Sequence, residues 1–168
     1  MPEVREYQSG TDAPGVRACL VELQDHERAL EPALTEGAAM ADAHLAHLLD
    51  RCGAWDGRIF VALEAERVIG VVCVWARVPP DGPDDVPLDH AYLSDLAVLA
   101  AHRGRGIGRA LLERAEAFVR ERGAQVLRVG VRSGNVAARG LYAAAGFAED
   151  RVELTKSLAA TGRPTTVA

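Results

Sequence analysis

The strongest chemical signal in the chain is the run Arg103-Gly104-Arg105-Gly106-Ile107-Gly108, followed at once by Arg109. Glycines leave main-chain N–H groups uncovered and let the backbone close on a ligand. A helix that starts there adds the partial positive charge of its N-terminus. Together these features suit a pyrophosphate, and three arginines strengthen the case over that of an ordinary glycine-rich turn. A dinucleotide fingerprint, G-x-G-x-x-G, does not fit: counted from Gly104 its last place is Arg109, and counted from Gly106 it is Leu111. A nucleotide P-loop needs G-x-x-x-x-G-K-[ST], and the only lysine is Lys156.

A second constellation is Asn135 and Tyr142, seven residues apart and so nearly two helical turns, on one face of a short helix. Candidates for moving a proton are Asp95, Glu22, Glu27, His26 and His90. Each of them also fits an ordinary surface or core position.

The elements that must position these residues follow from periodicity. Asp12 reads as an N-cap for a helix carrying Val16, Leu20, Leu23 and Leu30, and a second helix carries Met40, Leu45, Leu48 and Leu49 before Gly53. Two β-branched runs, 59–63 and 68–78, joined by the turn 64–67, predict an antiparallel hairpin with Trp75 in the core. A Pro/Gly/Asp-rich loop over 79–89 follows. In the next strand, 91–98, the apolar positions Ala91, Leu93, Leu96 and Val98 slip in parity at Ser94 and Asp95, the mark of a β-bulge. A helix with Ile107, Ala110, Leu111, Ala115, Phe118 and Val119 on one stripe runs to about Arg122, and Gly123 ends it. Beyond it the pattern predicts a strand over 126–131, a helix over 135–145 stopped by Gly146, and a last strand over 152–158. Strand, helix, strand over 91–131 implies a right-handed parallel crossover in a mixed sheet, hence an α/β (α+β) domain.

Length and composition bound the function. One domain is expected from 168 residues, with 49% hydrophobic and 26% charged residues. A net charge of −5 argues against non-specific nucleic-acid binding, and no apolar run is long enough for a membrane span. The N-terminus lacks the pattern of a signal peptide, and Cys19, Cys52 and Cys73 suggest neither a disulfide framework nor a zinc site, so a cytoplasmic protein without a metal is expected. Glu22, Asp25, Glu27, Glu31, Glu36 and Asp42 face a single Arg28 over residues 22–42, while 103–139 is rich in arginine.

Arg103-x-x-Gly106-x-Gly108, preceded by Leu96-Ala97-Val98 and followed by the segment from Asn135 to Gly146-Phe147, resembles the GNAT N-acetyltransferase superfamily over residues 58–158. The resemblance implies a twisted, mostly antiparallel sheet flanked by helices, with a splayed parallel strand pair holding acetyl-CoA. By analogy Leu96, Ala97 and Val98 contact the pantetheine arm through main chain. The stretch Arg103, Gly104, Arg105, Gly106, Ile107, Gly108 and Arg109 holds the pyrophosphate, and Asn135 binds the arm. Tyr142 lies near the thioester sulfur and protonates the departing thiolate; Asp95 is a candidate base. The implied activity is direct acetyl transfer to a primary amine of a small molecule, with a cationic acceptor favoured by the acidic helices. The alternatives are a non-catalytic acyl-CoA-binding or regulatory module and a peptide or protein N-acetyltransferase.

Two departures from the family pattern matter. Peptide acetyltransferases of the ribosomal-protein type carry a glutamate five residues before the asparagine, a place held here by Gly130. The usual C-terminal hairpin is reduced to one expected strand, and a homodimer would cover the edge so exposed. The chain thus divides into a helical acceptor-side segment (1–57), a sheet and acetyl-CoA core (58–158) and a tail (159–168).

Overall fold

A computed structural model describes residues 2–156 and 158. Its sheet has five strands in the order β1 (Glu3–Glu6), β2 (Gly57–Glu64), β3 (Arg67–Val78), β4 (His90–Val98) and β5 (Leu127–Val129). All neighbours are antiparallel except β4 and β5, which are parallel. Helices α1 (Ala13–Leu30) and α2 (Gly37–Ala54) cover one face; α3 (Ile107–Glu121) and α4 (Val136–Ala144) cover the other.

Strand alternation builds both cores at once. Val71 and Cys73 point to α1 and α2, while Val72 and Val74 point to α3. Helix α1 buries Val16, Cys19 and Leu20, and α2 buries Ala41, Leu45 and Leu48. The hairpin turns through Ala65 and Glu66, both at positive φ, which matches the right-handed twist of the flanking strands.

The expected bulge is present. Cys73 pairs with Asp95 and Val74 with Leu93, leaving Ser94 as the extra residue. Ala91 and Leu93 pack toward α3, and because one residue is inserted it is Leu96 and Val98, not Asp95 and Ala97, that continue on that face. Asp95 is thereby turned toward α1 and α2.

Several sequence expectations need correction. Asp12 starts α1 but does not cap it with its side chain. Its buried carboxylate instead takes both guanidinium nitrogens of Arg5, at 2.7 and 2.9 Å, together with the Gln8 N–H. Those bonds, the Arg5 pair foremost, hold its pKa below the usual carboxylate range. Helix α2 runs through Gly53 to Ala54, and Leu49 and Leu30 are exposed. The N-terminal segment also contributes a strand, β1, which pairs with β2. β5 spans three residues rather than 126–131. Residues 151–156 and 158 form no strand, and Val152, Leu154 and Leu158 stand in solvent, since alternation alone does not supply a partner. The tail over 159–168 lies outside the described residues.

Candidate functional site

The glycine-arginine turn lies between β4 and α3. Gly104 and Gly106 have φ of +73° and +78°, and a Cβ on either would meet nothing within 4 Å, so glycine serves the backbone shape and not packing. Gly106 is the left-handed N-cap of α3. From Gly104 to Arg109, six consecutive N–H groups donate no main-chain hydrogen bond among the described residues. They form a set of open donors at a helix N-terminus, the arrangement an anion requires. Gly108 lets α4 approach, its notional Cβ lying 3.5 Å from Leu141 Cδ2.

The arginines of the turn are held by partners within the chain. Arg103 donates from Nε to the Val98 carbonyl at 2.9 Å, Arg105 meets Glu64 at 2.5 Å, and Arg109 meets Glu113 at 2.8 Å. All three pairs are exposed and weak enough to yield to a phosphate.

Beside the turn, the parallel pair opens. β5 pairs with β4 at Ala91, Tyr92 and Leu93, and from the bulge onward Leu96, Ala97 and Val98 have no strand on that side among the described residues. The gap is the width-making device the resemblance implies, and it starts at the bulge.

Asn135 lies at the start of α4 and Tyr142 within it. Asn135 is the N-cap of α4: its Oδ1 accepts the Ala138 N–H at 3.1 Å and its Nδ2 donates to Glu27 at 3.3 Å. Both halves of its amide are thus engaged within the chain, and its evident effect is to fix where α4 starts. Tyr142 is 8% exposed and packs against Phe147. Burial first, then the Asp95 and Glu27 carboxylates, push its phenol up to about 12. It therefore holds its proton at neutral pH and has one to give.

The acids of α1 and α2 are committed differently from what composition suggests. Glu22 accepts the Ala100 N–H at 2.7 Å and stands 3.9 Å from Arg103; Glu27 pairs with Arg132 at 2.7 Å. Asp25 accepts the Gly37 N–H, Glu31 the Ala33 N–H, Glu36 lies 4.0 Å from Arg28 and Asp42 2.9 Å from Arg17. Every one of the six has a partner in the chain. Of the histidines proposed from sequence, His26 is exposed, and His90 at the start of β4 is kept toward its neutral form by burial and by Arg128.

Asp95 is 8% exposed and has two partners. Ser94 Oγ donates to its Oδ2 at 2.7 Å, and His44 Nε2 lies 2.8 Å from its Oδ1. The hydrogen bond to Asp95 raises the His44 pKa above the ordinary imidazole value, against the lowering effect of burial.

Known proteins resemble this chain in sequence and fold. The sequence pattern of the Acetyltransferase (GNAT) family matches residues 21–147. The chain belongs to that family. A ribosomal protein bS18 alanine N-acetyltransferase of Escherichia coli is 32% identical over 106 residues, 61% of this chain and 72% of that protein. A streptothricin acetyltransferase of Streptomyces lavendulae is 45% identical over 93 residues, 55% of this chain and 46% of its own length. Among solved structures, AAC(6')-Iy in complex with a bisubstrate CoA analogue superposes with a TM-score of 0.66 at 21% identity, covering 94% of this chain and 98% of that one. The fold is therefore the GNAT fold and the protein an N-acetyltransferase, of a family that uses acetyl-CoA.

Within the GNAT frame one departure acquires a physical cause. A Cβ at Gly130 would lie 2.9 Å from the Tyr92 hydroxyl, so Tyr92 occupies the space a longer side chain there would need. Sequence reading missed His44, although a signal existed. His44 lies four residues from both Met40 and Leu48 on the inward stripe of α2, where a polar ring calls for a partner. Among the described residues no helix is long and apolar enough to cross a membrane.

Proposed function

We propose that the protein transfers the acetyl group of acetyl-CoA to a primary amine of a small molecule. The observation that carries this reading is the row of open N–H donors from Gly104 to Arg109 at the mouth of the gap between β4 and β5. The pyrophosphate would rest on those donors, with Arg103, Arg105 and Arg109 released from their weak pairs to meet it. The pantetheine arm would lie along Leu96, Ala97 and Val98, bordered by Asn135. That places the thioester toward the bulge, where Tyr142 donates a proton to the leaving sulfur and a β4 main-chain N–H, that of Leu96, meets the developing oxyanion.

The acceptor class rests on two observations of opposite weight. One relative acetylates a protein alanine and another, by name, streptothricin. Gly130, blocked by Tyr92, lacks the side chain that the peptide-directed pattern calls for, which favours a small molecule. A cationic acceptor draws less support than composition suggests, because four of the six helix acids, Glu22, Glu27, Glu36 and Asp42, lie within 4.0 Å of an arginine. The three free thiols support a cytoplasmic setting, and the outer edge of β5, without a strand among the described residues, supports a homodimer. Thiol release from acetyl-CoA, measured with polyamines, aminoglycosides, streptothricin and alanine-headed peptides, tests the reading. Faster turnover of the small amines is expected, and exclusive turnover of the peptides would overturn it.

A further inference from the structure

An alkyl amine with a pKa near 10 reaches an enzyme as the ammonium ion, roughly a thousandfold in excess of the free base at neutral pH. Something must take its proton before the nitrogen can attack. The peptide-directed solution is closed here by Gly130 and Tyr92, and Glu22 and Glu27 are held by Ala100, Arg132 and Asn135.

The bulge creates another. By inserting Ser94 it rotates Asp95 away from α3 and onto the face of α2, where His44 meets it at 2.8 Å. Ser94 itself secures the second carboxylate oxygen at 2.7 Å. The imidazole is thus gripped at Nε2, its one side-chain hydrogen bond among the described residues, and the His44 side chain stays 27% exposed, leaving Nδ1 open. A ring oriented by a carboxylate at one nitrogen and open at the other has the form of a general base. Asp95 is its charged partner among the described residues. His47 stacks along α2 at 6.4 Å between ring centroids, Arg17 on α1 is turned to Asp42, and Cys73 on β3 lies opposite Asp95. On β4, Asp95 directly precedes Leu96, Ala97 and Val98, the stretch that β5 leaves unpaired among the described residues, so the pair stands at the start of the gap.

We propose that His44 is the general base that deprotonates the acceptor amine and that Asp95 is its positioning residue. The inference rests on the reading of Tyr142 as marking the sulfur end of the thioester. His44 Nδ1 takes one proton from the ammonium, and the imidazolium is held by Asp95. The freed nitrogen lone pair forms the N–C bond to the acetyl carbonyl. On collapse the C–S bond breaks, its electron pair goes to sulfur, and sulfur takes the Tyr142 proton. The second proton leaving nitrogen restores the phenol through solvent, and His44 returns its proton to water, so one proton is released per acetyl group transferred.

The test is the pH profile of kcat and kcat/KM for the fastest amine of the panel, in wild type, His44→Gln, Asp95→Asn and Tyr142→Phe, with acetyl-CoA affinity measured by calorimetry in each. Activity requires the neutral ring, so wild-type rate rises with pH through the His44 ionisation, which Asp95 holds above its ordinary value. Asp95→Asn, close in shape, should move that limb to lower pH, a shift the amine's own ionisation cannot produce. His44→Gln should erase the limb and lower kcat about 100-fold with acetyl-CoA affinity unchanged. Near-normal kcat in His44→Gln, or an unmoved limb in Asp95→Asn, overturns the proposal. If Tyr142→Phe is slow while His44→Gln is normal, only the base is wrong; if both are normal, the sulfur-end reading has failed as well.

Discussion

Across the sheet, α3 and α4 lie over Phe60, Val72, Val74 and Leu93, while α1 and α2 lie over Ile59, Val61, Val71 and Cys73. The two faces are comparably apolar, yet they contribute different materials to the site. The α3 face offers main-chain N–H groups on a turn of consecutive residues, whose chemistry depends on backbone shape. The α1–α2 face offers side chains whose positions depend on contacts between distant segments. Glu22 reaches Ala100 across 78 residues and Glu27 reaches Asn135 across 108. A main-chain site tolerates change in the surrounding side chains but not in its glycines; a side-chain site is sensitive wherever its partners meet.

Substitutions can break this contrast. The largest effect should come from Gly106→Glu and Gly108→Glu, each of which sets a carboxylate among the open donors. Acetyl-CoA affinity should fall about 1000-fold, since like charges brought together cost several kcal/mol. Calorimetry reads it beside circular dichroism; Gly108→Glu is the cleaner of the two, its Cβ being at ordinary contact distance from Leu141, whereas any side chain at Gly106 also strains its left-handed backbone. Wild-type affinity in both would remove the turn from cofactor binding. Next, Tyr142→Phe should lower kcat about 100-fold with little change in acetyl-CoA affinity, because the lost proton donor acts mainly as the thiolate leaves. Steady-state kinetics beside calorimetry separates the two.

Smaller effects sharpen the comparison. Asn135→Ala removes the α4 cap and should cost about 1 kcal/mol in denaturant unfolding. A loss confined to stability would make Asn135 a structural residue; a parallel fall in acetyl-CoA affinity would give it a share in binding. Arg105→Ala should leave the unfolding midpoint unchanged, its pair with Glu64 being exposed, and should weaken acetyl-CoA binding several-fold at low salt and less at high salt. Salt-independent weakening would mean that Arg105 acts through shape.

The same contrast explains what could be read from sequence. The turn at 103–109, the stripe of α3 and the parity slip at Ser94 are local patterns, and local patterns survive in a linear string. β1 is illegible in the sequence because its four residues, Glu3 and Glu6 exposed and Val4 and Arg5 half-buried, lie at an edge and carry little periodicity. The run over 152–158 alternates like a strand, but strands are made by partners, and among the described residues Val152 and Leu154 have none. The acids of α1 and α2 looked like one charged surface until their separate partners were seen. His44 needed the bulge, the helix and the carboxylate together, and only folding brings them within 2.8 Å.

Glu22 touches both kinds of site. Its carboxylate holds the Ala100 N–H just before the turn and lies 3.9 Å from Arg103, while its backbone belongs to α1. An anion that drew Arg103 toward itself would compete with the Glu22–Arg103 attraction and so change the freedom of α1 relative to the loop. If acetyl-CoA is that anion, its binding is expected to couple energetically to that of the amine. Whatever factor acetyl-CoA imposes on the affinity of an amine resting against α1, the amine imposes on acetyl-CoA in return. Glu22→Gln, which weakens the charge attraction while keeping an acceptor for Ala100, should bring that factor closer to one, read as the ratio of acetyl-CoA dissociation constants with and without saturating amine.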